Sequence, residues 1–299
     1  MSLRNLLRSL TPNVILSRYR SRKKSEIRKK LAEAKSSGKI ITKADLIRAF
    51  QAIGIEKGDV LLVHSSLSAI GYVENGPKDV VVALLEAIGA DGHLLMPNSP
   101  NASFQLDYIR QLDLFDVENS PSALGAISEW FRKLPNAERS AHPTEPVSCI
   151  GPEANWFVSD HFGQLTPYNS NSPFSKVIQR KGKILYLGVT LSNAGTNLHT
   201  LEDAVDDFPY PVYAPEKFEV NVKFANRSTG TMETFVHNPE QSKKRKCDDL
   251  LPLFLQEGAV RKVDIFHAKS LLFDAEAMFN VMLNAYKDKG VTMYTPNGR

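Results

Sequence analysis

Thr196, His199 and Glu202 place a hydroxyl, an imidazole and a carboxylate at intervals of three residues in the run Thr196-Asn197-Leu198-His199-Thr200-Leu201-Glu202. On a helix, a step of three turns by about 300°, so three such side chains stay within an arc of about 120° and can face one cavity. An imidazole beside a carboxylate is the equipment of a general base, with the carboxylate orienting the ring. The run follows Lys183–Val189, an apolar stretch that reads as a buried strand. In an open α/β sheet, ligands bind outside the carboxyl ends of strands, which is where this spacing puts the triplet. A helix-surface His and Glu at i, i+3 also occur for purely structural reasons.

Two other segments carry candidate chemistry. The loop His64-Ser65-Ser66-Leu67-Ser68-Ala69-Ile70-Gly71, continuing to Gly76-Pro77, joins a strand-like run to a helix. Such a loop offers backbone N–H groups to anions, and its small residues admit a ligand close to the backbone. It has neither Walker nor GxGxxG spacing, so an ordinary βα loop explains it equally well. In Arg139-Ser140-Ala141-His142-Pro143-Thr144-Glu145, the proline holds His142 extended. There His142 either touches substrate or cofactor or packs in a turn. His142-x-x-Glu145 and His199-x-x-Glu202 could together ligate a metal in a hydrolase. Pro143 keeps the first pair off a regular helix and no His-Glu-x-x-His motif is present, so no metal is expected.

The elements that must position these groups read as α/β. Thr42 resembles an N-cap for a helix over about 43–53, and Asp59–Val63 reads as a buried strand. Pro77 suits a helix start, Val80–Ile88 a helix ended by Gly89, and Leu94-Leu95-Met96 a strand stopped by Pro97. This order implies a right-handed βαβ unit in a parallel or mixed sheet. Residues 98–120 read as a polar, irregular active-site loop, and Ser122–Lys133 as a helix. Val147–Ile150 reads as a strand, and Phe218–Phe224 with Met232–His237 as a hairpin. Helices are expected at about 248–257 and 274–288.

The 299 residues can bury a substantial core, and 42% hydrophobic with 23% charged residues is ordinary for a globular chain. No run reaches the roughly 18 apolar residues of a membrane span. The start lacks the apolar core of a secretory signal, so a cytoplasmic location is expected. Cys149 and Cys247 make no disulfide framework. Cys247 follows Lys243-Lys244-Arg245-Lys246, which reads either as a setting that lowers the thiol's pKa or as a solvated charge run with a surface thiol. The net charge of +4 conceals an asymmetry: residues 1–40 hold twelve Lys/Arg against two Glu, a net of +10, leaving −6 for the rest. The first forty residues thus read as a basic helical arm, and 41–299 as one domain. Arg18-Tyr19-Arg20-Ser21-Arg22-Lys23-Lys24 suits contact with an anionic membrane surface or simple solvation. Without interleaved aromatics or a reader motif, nucleic acid is not an expected partner.

Taken together, the motifs resemble the aminoglycoside 3-N-acetyltransferase family. The resemblance is carried in order by Lys57-Gly58-Asp59, His64-Ser65-Ser66-Leu67, Gly71 and Gly76-Pro77, then by Asp91-Gly92 with Leu94-Leu95-Met96-Pro97 and by Pro121–Ala126. It continues through Arg139–Pro143, Gly151-Pro152-Glu153-Ala154, Ser172-Pro173 and Gly182–Val189 to Thr196-x-x-His199-x-x-Glu202, covering about residues 40–285. It implies a three-layer α/β/α fold with a mixed, largely parallel sheet, distinct from the common acetyltransferase superfamily. It also implies acetyl-CoA as cosubstrate, lying along His64, Ser65, Ser66, Leu67, Gly71 and Gly76 and near Ser122 and His142. Thr196, His199 and Glu202 would then face an acceptor amine, with transfer direct and in a ternary complex. No acyl-enzyme is expected, and neither cysteine matches a family motif.

The chain departs from the family pattern at Phe208-Pro209-Tyr210-Pro211 and at Val263–Ala268, and its basic arm is extra. Asp203 and Asp206, within Glu202–Asp207, are the carboxylates that could hold an amino sugar. The departures favour a biosynthetic amino-sugar N-acetyltransferase over a dedicated resistance enzyme. A silent CoA- or glycan-binding protein docked through the arm is the alternative from another class. Monomer and homodimer stay open.

Overall fold

The computed structural model describes residues 21, 22, 25, 26, 29, 31–101 and 105–299. Most of the basic arm, including Arg18-Tyr19-Arg20, therefore lies outside the described residues; those described between 21 and 36 are helical. Among the described residues no helix is long and apolar enough to cross a membrane.

The body opens with α1 (Lys43–Ala52), β1 (Val60–Ser65), α2 (Pro77–Ile88) and β2 (His93–Pro97). Thr42 starts α1 through a capping box: its Oγ1 accepts from Asp45 N at 3.2 Å while the Asp45 carboxylate accepts from Thr42 N at 3.0 Å. Pro77 stands in the first turn of α2, and Gly89, at φ 69°, ends it. The expected βαβ unit is present, with β1 and β2 parallel and Val60 opposite His93.

The chain continues through α3 (Gln105–Ile109), β3 (Leu114–Asp116), α4 (Ala126–Phe131), β4 (Glu138–Arg139), β5 (Val147–Ile150), α5 (Ala154–Val158), α6 (Pro173–Gln179) and β6 (Lys183–Leu187). After β6 come α7 (Thr200–Ala204), β7 (Phe218–Lys223), β8 (Thr229–Thr234), α8 (Pro239–Ser242), α9 (Leu251–Gln256), β9 (Val260–Ile265), β10 (Ala268–Asp274) and α10 (Ala275–Lys289).

Seven strands form one mixed sheet in the order β4-β5-β2-β1-β6-β10-β9. The expected predominance of parallel pairing holds only at its centre, where β1 runs parallel to β2 and β6. Both flanks are antiparallel. The pleat sorts the core into two layers. Leu61, Val63, Leu185 and Leu187 pack on one face with Val80, Leu84 and Ile88 of α2. Leu62, Ile184 and Tyr186 pack on the other with Phe174 of α6, Leu201 of α7, Phe254 of α9 and Met278 of α10. Helices thus cover both faces, giving the three layers. β3, β7 and β8 form a separate small sheet over its own cluster around Phe115, Val222 and Val236.

Several local expectations are corrected. The stretch read as an irregular loop over 98–120 contains α3 and β3, the latter recruited by parallel pairing with β7. The helix expected over Ser122–Lys133 is shorter, beginning after Gly125 at φ 119°. Val263–Ala268, read only as a departure, closes the β9–β10 hairpin with Phe266 at φ 54°. Cys247 is buried, and burial first of all pushes its thiol up to about 12, so neither a surface thiol nor a lowered pKa holds.

Candidate active site

The segment after β1 leads to α2 on one face of the sheet, while the segment after β6 leads to α7 on the other. Such a divergence, at the carboxyl ends of two adjacent parallel strands, is where open α/β sheets form their ligand crevice. His64 reaches it from β1, in register with Tyr186 of β6, and the two rings stack at 4.9 Å.

The triplet is not on one regular helix. Thr196–His199 is a single 3-10 turn and α7 starts at Thr200. This splits the expected trio. His199 Nδ1 and Glu202 Oε2 meet at 2.5 Å, both side chains buried. Thr196 Oγ1 instead lies 3.2 Å from His64 Nε2, and Asn197 Oδ1 lies 3.4 Å from the same nitrogen. The result joins the two motifs: the end of β1 and the 196–202 segment form one polar wall.

A second wall was not foreseen. Tyr168 stacks on His199 at 4.8 Å, and His237 packs on His199 at 4.3 Å. Tyr168 and Tyr213 also stack on His237, at 5.5 and 5.4 Å. Glu145 lies beneath, bonded to Gln105 Nε2 at 2.6 Å, while Gln105 Oε1 accepts from His237 N at 2.9 Å. Asp203 turns inward, accepting from Tyr168 N at 3.1 Å and from the Tyr213 hydroxyl at 2.7 Å. Asp206 is exposed and does not join it.

Burial dominates the electrostatics. It pushes Glu202 up to about 8, against the pull of Arg245 and Tyr294, and Glu145 up to about 7, against its bond to Gln105. Asp203 rises to about 6 for the same first reason, opposed by Tyr213. Burial, reinforced by Arg245, holds His199 well below the ordinary imidazole value, and burial brings His64 to about 4. Both rings are therefore neutral near pH 7, the state a base needs. Because Nδ1 of His199 faces a carboxylate, its proton belongs on that side, and Nε2 keeps the lone pair. The Arg245 cation pulls Glu202 back towards ionisation, against the burial that raises it.

Buried polar atoms without hydrogen-bond partners gather here: Asn197 Nδ2, Glu202 Oε1, His237 Nε2, Gln241 Nε2, Arg245 Nε and Nη2, and the Tyr294 hydroxyl. A native interior leaves few such atoms, so their concentration marks a ligand site. Sequence reasoning missed Tyr168, His237, Arg245 and Tyr294. The basic loop was visible, but not that Arg245 alone turns inward while Lys243, Lys244 and Lys246 stay exposed.

The other expected cofactor contacts divide. Ser65, Ser66, Leu67, Gly71 and Gly76 are half-buried at the crevice end of the sheet. Gly71, at φ 125°, has no room for a Cβ, which would come within 3.0 Å of Ile41 and His267. Ser122 is half-buried and bonds Ser128 Oγ at 3.0 Å. His142 is fully enclosed: Nδ1 lies 3.3 Å from Thr144 Oγ1, Nε2 lies 3.2 Å from Thr234 Oγ1, and the ring stacks on His161 at 4.6 Å. It does not join His199 as a paired metal-ligand set. His199, Glu202 and His237 do bring three possible ligand atoms within 4.8 Å of one another. There Glu202 Oε2 is engaged by His199, and the Arg245 charge repels a dication.

The family model described as aminoglycoside 3-N-acetyltransferase matches residues 62–287. The chain is 30% identical over 257 residues to an aminoglycoside N(3)-acetyltransferase III from a Salmonella species, covering 79% of this chain and 87% of that protein. It is 37% identical over 172 residues to an aminoglycoside N(3)-acetyltransferase IV, also from a Salmonella species, a match spanning 57% of this chain and 61% of that relative. Among solved structures, the binary complex of AAC-IIIb with CoASH superposes with a TM-score of 0.71 at 24% identity, covering 83% of this chain and 97% of the other. A mutant of aminoglycoside acetyltransferase AAC(3)-IVa in complex with apramycin superposes with a TM-score of 0.66 at 26% identity, covering 84% of this chain and 93% of the other. The ordered motifs, the three-layer fold and these matches agree: the chain belongs to the aminoglycoside 3-N-acetyltransferase family.

Proposed function

We propose that this protein transfers an acetyl group from acetyl-CoA to the amine of an amino sugar, directly and in a ternary complex, with His199 as general base. The observation that carries this reading is the His199 Nδ1–Glu202 bond of 2.5 Å, which engages one ring nitrogen and leaves Nε2 to serve as the base at the crevice of β1 and β6. Acetyl-CoA supplies the thioester carbon and a thiolate leaving group. His199 Nε2 takes a proton from the amine as its nitrogen attacks; the new C–N bond replaces the C–S bond. Glu202 stabilises the resulting imidazolium. Thr196, beside His64, is the side-chain hydroxyl available to the carbonyl oxygen as it gains charge.

The cosubstrate's support comes from the orphaned Asn197 Nδ2 and the half-buried Ser65–Leu67 backbone at the same edge. Asp203 shapes the acceptor wall through Tyr168 and Tyr213. The test is thiol release from acetyl-CoA across amino sugars, nucleotide-linked amino sugars and aminoglycosides. Release with at least one acceptor is expected; no release with any, together with no retention of acetyl-CoA, overturns the reading.

A further inference from the structure

Among the described residues, Arg245 is the cation that the fold turns into the candidate site. Its loop is pinned on both sides: Arg245 N donates to Ser242 O at 3.3 Å, Lys246 N to Met293 O at 2.7 Å, and Asp248 N to Ser192 Oγ at 3.2 Å. The flanking lysines remain outside, so the inward turn is specific to position 245. Nε and Nη2 of the guanidinium are buried with no hydrogen-bond partner. Tyr294 stands beside both Arg245 and Glu202, near enough for its hydroxyl to bias the charge of each, but it completes no hydrogen bond to either. Glu202 pairs with His199 and closes no direct ion pair with Arg245.

The site thus presents two unmet demands of opposite sign. Glu202 Oε1 is a buried acceptor without a donor, next to the imidazole that would receive the amine's proton. Arg245 offers two buried donors without an acceptor. Leaving charged donors dry and unpaired is costly, and a guanidinium fork matches carboxylate and phosphate oxygens in particular. Beyond Glu202, the acidic run that would suit a polycation supplies no free carboxylate inside the site: Asp203 is held by Tyr168 and Tyr213, and Asp206 is exposed.

We propose that Arg245 is a specificity-determining residue that receives an anionic oxygen, carboxylate or phosphate, carried by the acceptor close to its amine. The acceptor is then a zwitterionic amino sugar, not a polycation: its ammonium meets Glu202 and His199, and its anion meets Arg245. This inference rests on the acetyl-transfer reading of the same site.

The experiment measures thiol release by the full chain with four acceptors: glucosamine, a phosphorylated glucosamine, the uronic acid of glucosamine, and an aminoglycoside. The expected result is a kcat/KM for one anionic sugar on the order of 10-fold to 100-fold above that for glucosamine, the range a charge-assisted hydrogen bond gives. Which anionic sugar wins separates phosphate from carboxylate. Arg245→Gln should collapse that ratio towards one, and Arg245→Lys should retain part of it. Because the readout is a ratio, a uniform loss from disturbing Glu202 does not imitate it. Equal turnover of neutral and anionic sugars, a preference that survives Arg245→Gln, or an aminoglycoside as best acceptor would each overturn the proposal. The native ratio decides even where a variant fails to fold. Thiol release with the aminoglycoside alone sinks the role of Arg245 while sustaining acetyl transfer; release with no acceptor sinks both.

Discussion

Among the described residues, two pairs of buried histidines pack ring against ring, and they differ in their hydrogen bonding. His142 and His161 lie with centroids 4.6 Å apart, His199 and His237 with centroids 4.3 Å apart. Burial depresses the pKa in all four rings. In the first pair every ring nitrogen has a partner: Thr144 and Thr234 for His142, and Ser140 Oγ at 2.9 Å and Pro167 O at 3.0 Å for His161. In the second pair, His237 Nε2 is buried and unpartnered, and His199 bonds through Nδ1 alone. Depth and a shifted pKa therefore do not separate His142 and His161 from His199, the base we propose. Unfinished hydrogen bonding does, because a site must leave room for the bonds its ligand will make.

The largest effect should come from the unfinished pair. His199→Ala is expected to lower turnover by on the order of 10²-fold or more, with retention of CoA nearly unchanged, as loss of a general base requires. Glu202→Gln should cost less, about 10-fold, because Gln still accepts from Nδ1 but no longer offsets the imidazolium charge. Steady-state kinetics of both variants check the order. Unchanged turnover in His199→Ala would remove it as the base.

The same comparison shows what the sequence made legible. The βαβ unit, the hairpin of β7 and β8 and the helix ending at Gly290 follow from local capping, turn chemistry and apolar periodicity, which act within a few residues. Thr196, His199 and Glu202 were legible as a constellation, but not as two separate contacts, since a 3-10 turn rotates side chains differently from the assumed α-helix. His142 and His199 looked alike in sequence, each followed by a glutamate three residues on. Only tertiary neighbours distinguish them: Thr234 comes from β8, far along the chain from His142. Arg245 sat in a run of like charges whose ordinary fate is solvation, and which member turns inward depends on the Met293 and Ser192 anchors.

Breaking the finished pair should do something different. His161→Ala removes a fully buried ring with its bonds to Ser140 Oγ and Pro167 O, so a loss of about 2 to 4 kcal/mol in unfolding free energy is expected. The folded fraction should keep kcat/KM within about 2-fold, since transition-state contacts are untouched. Chemical denaturation, with kinetics on the folded fraction, measures both. A fall in kcat/KM as deep as that of His199→Ala, without loss of stability, would erase the distinction between the pairs.

The smallest effect is in the pH dependence of stability, and it too divides the regions. Both pairs hold histidines with folded pKa values below the ordinary 6.5, such as about 3 for His161 and about 4 for nearby His64. Below about pH 6.5 the unfolded chain binds those protons first, so stability falls as pH drops towards the folded values. Raised carboxylates act in the opposite sense. Between their ordinary values and about 7 for Glu145, 8 for Glu202 and 6 for Asp203, the folded state keeps protons that the unfolded chain has released. Their contribution is present at low pH and is lost as pH rises through those values. Six depressed histidines (His64, His93, His142, His161, His199 and His237) outweigh three raised carboxylates on the acid side, so the melting temperature should peak near pH 6.5 and decline towards pH 8. The acid limb draws on both histidine pairs, whereas the alkaline limb comes from carboxylates around His199. Glu202→Gln should therefore flatten the alkaline limb, and His161→Ala should soften only the acid one. Melting curves from pH 5 to 8 that rise or fall throughout, with no maximum, would show that burial does not hold these groups in the states assigned to them.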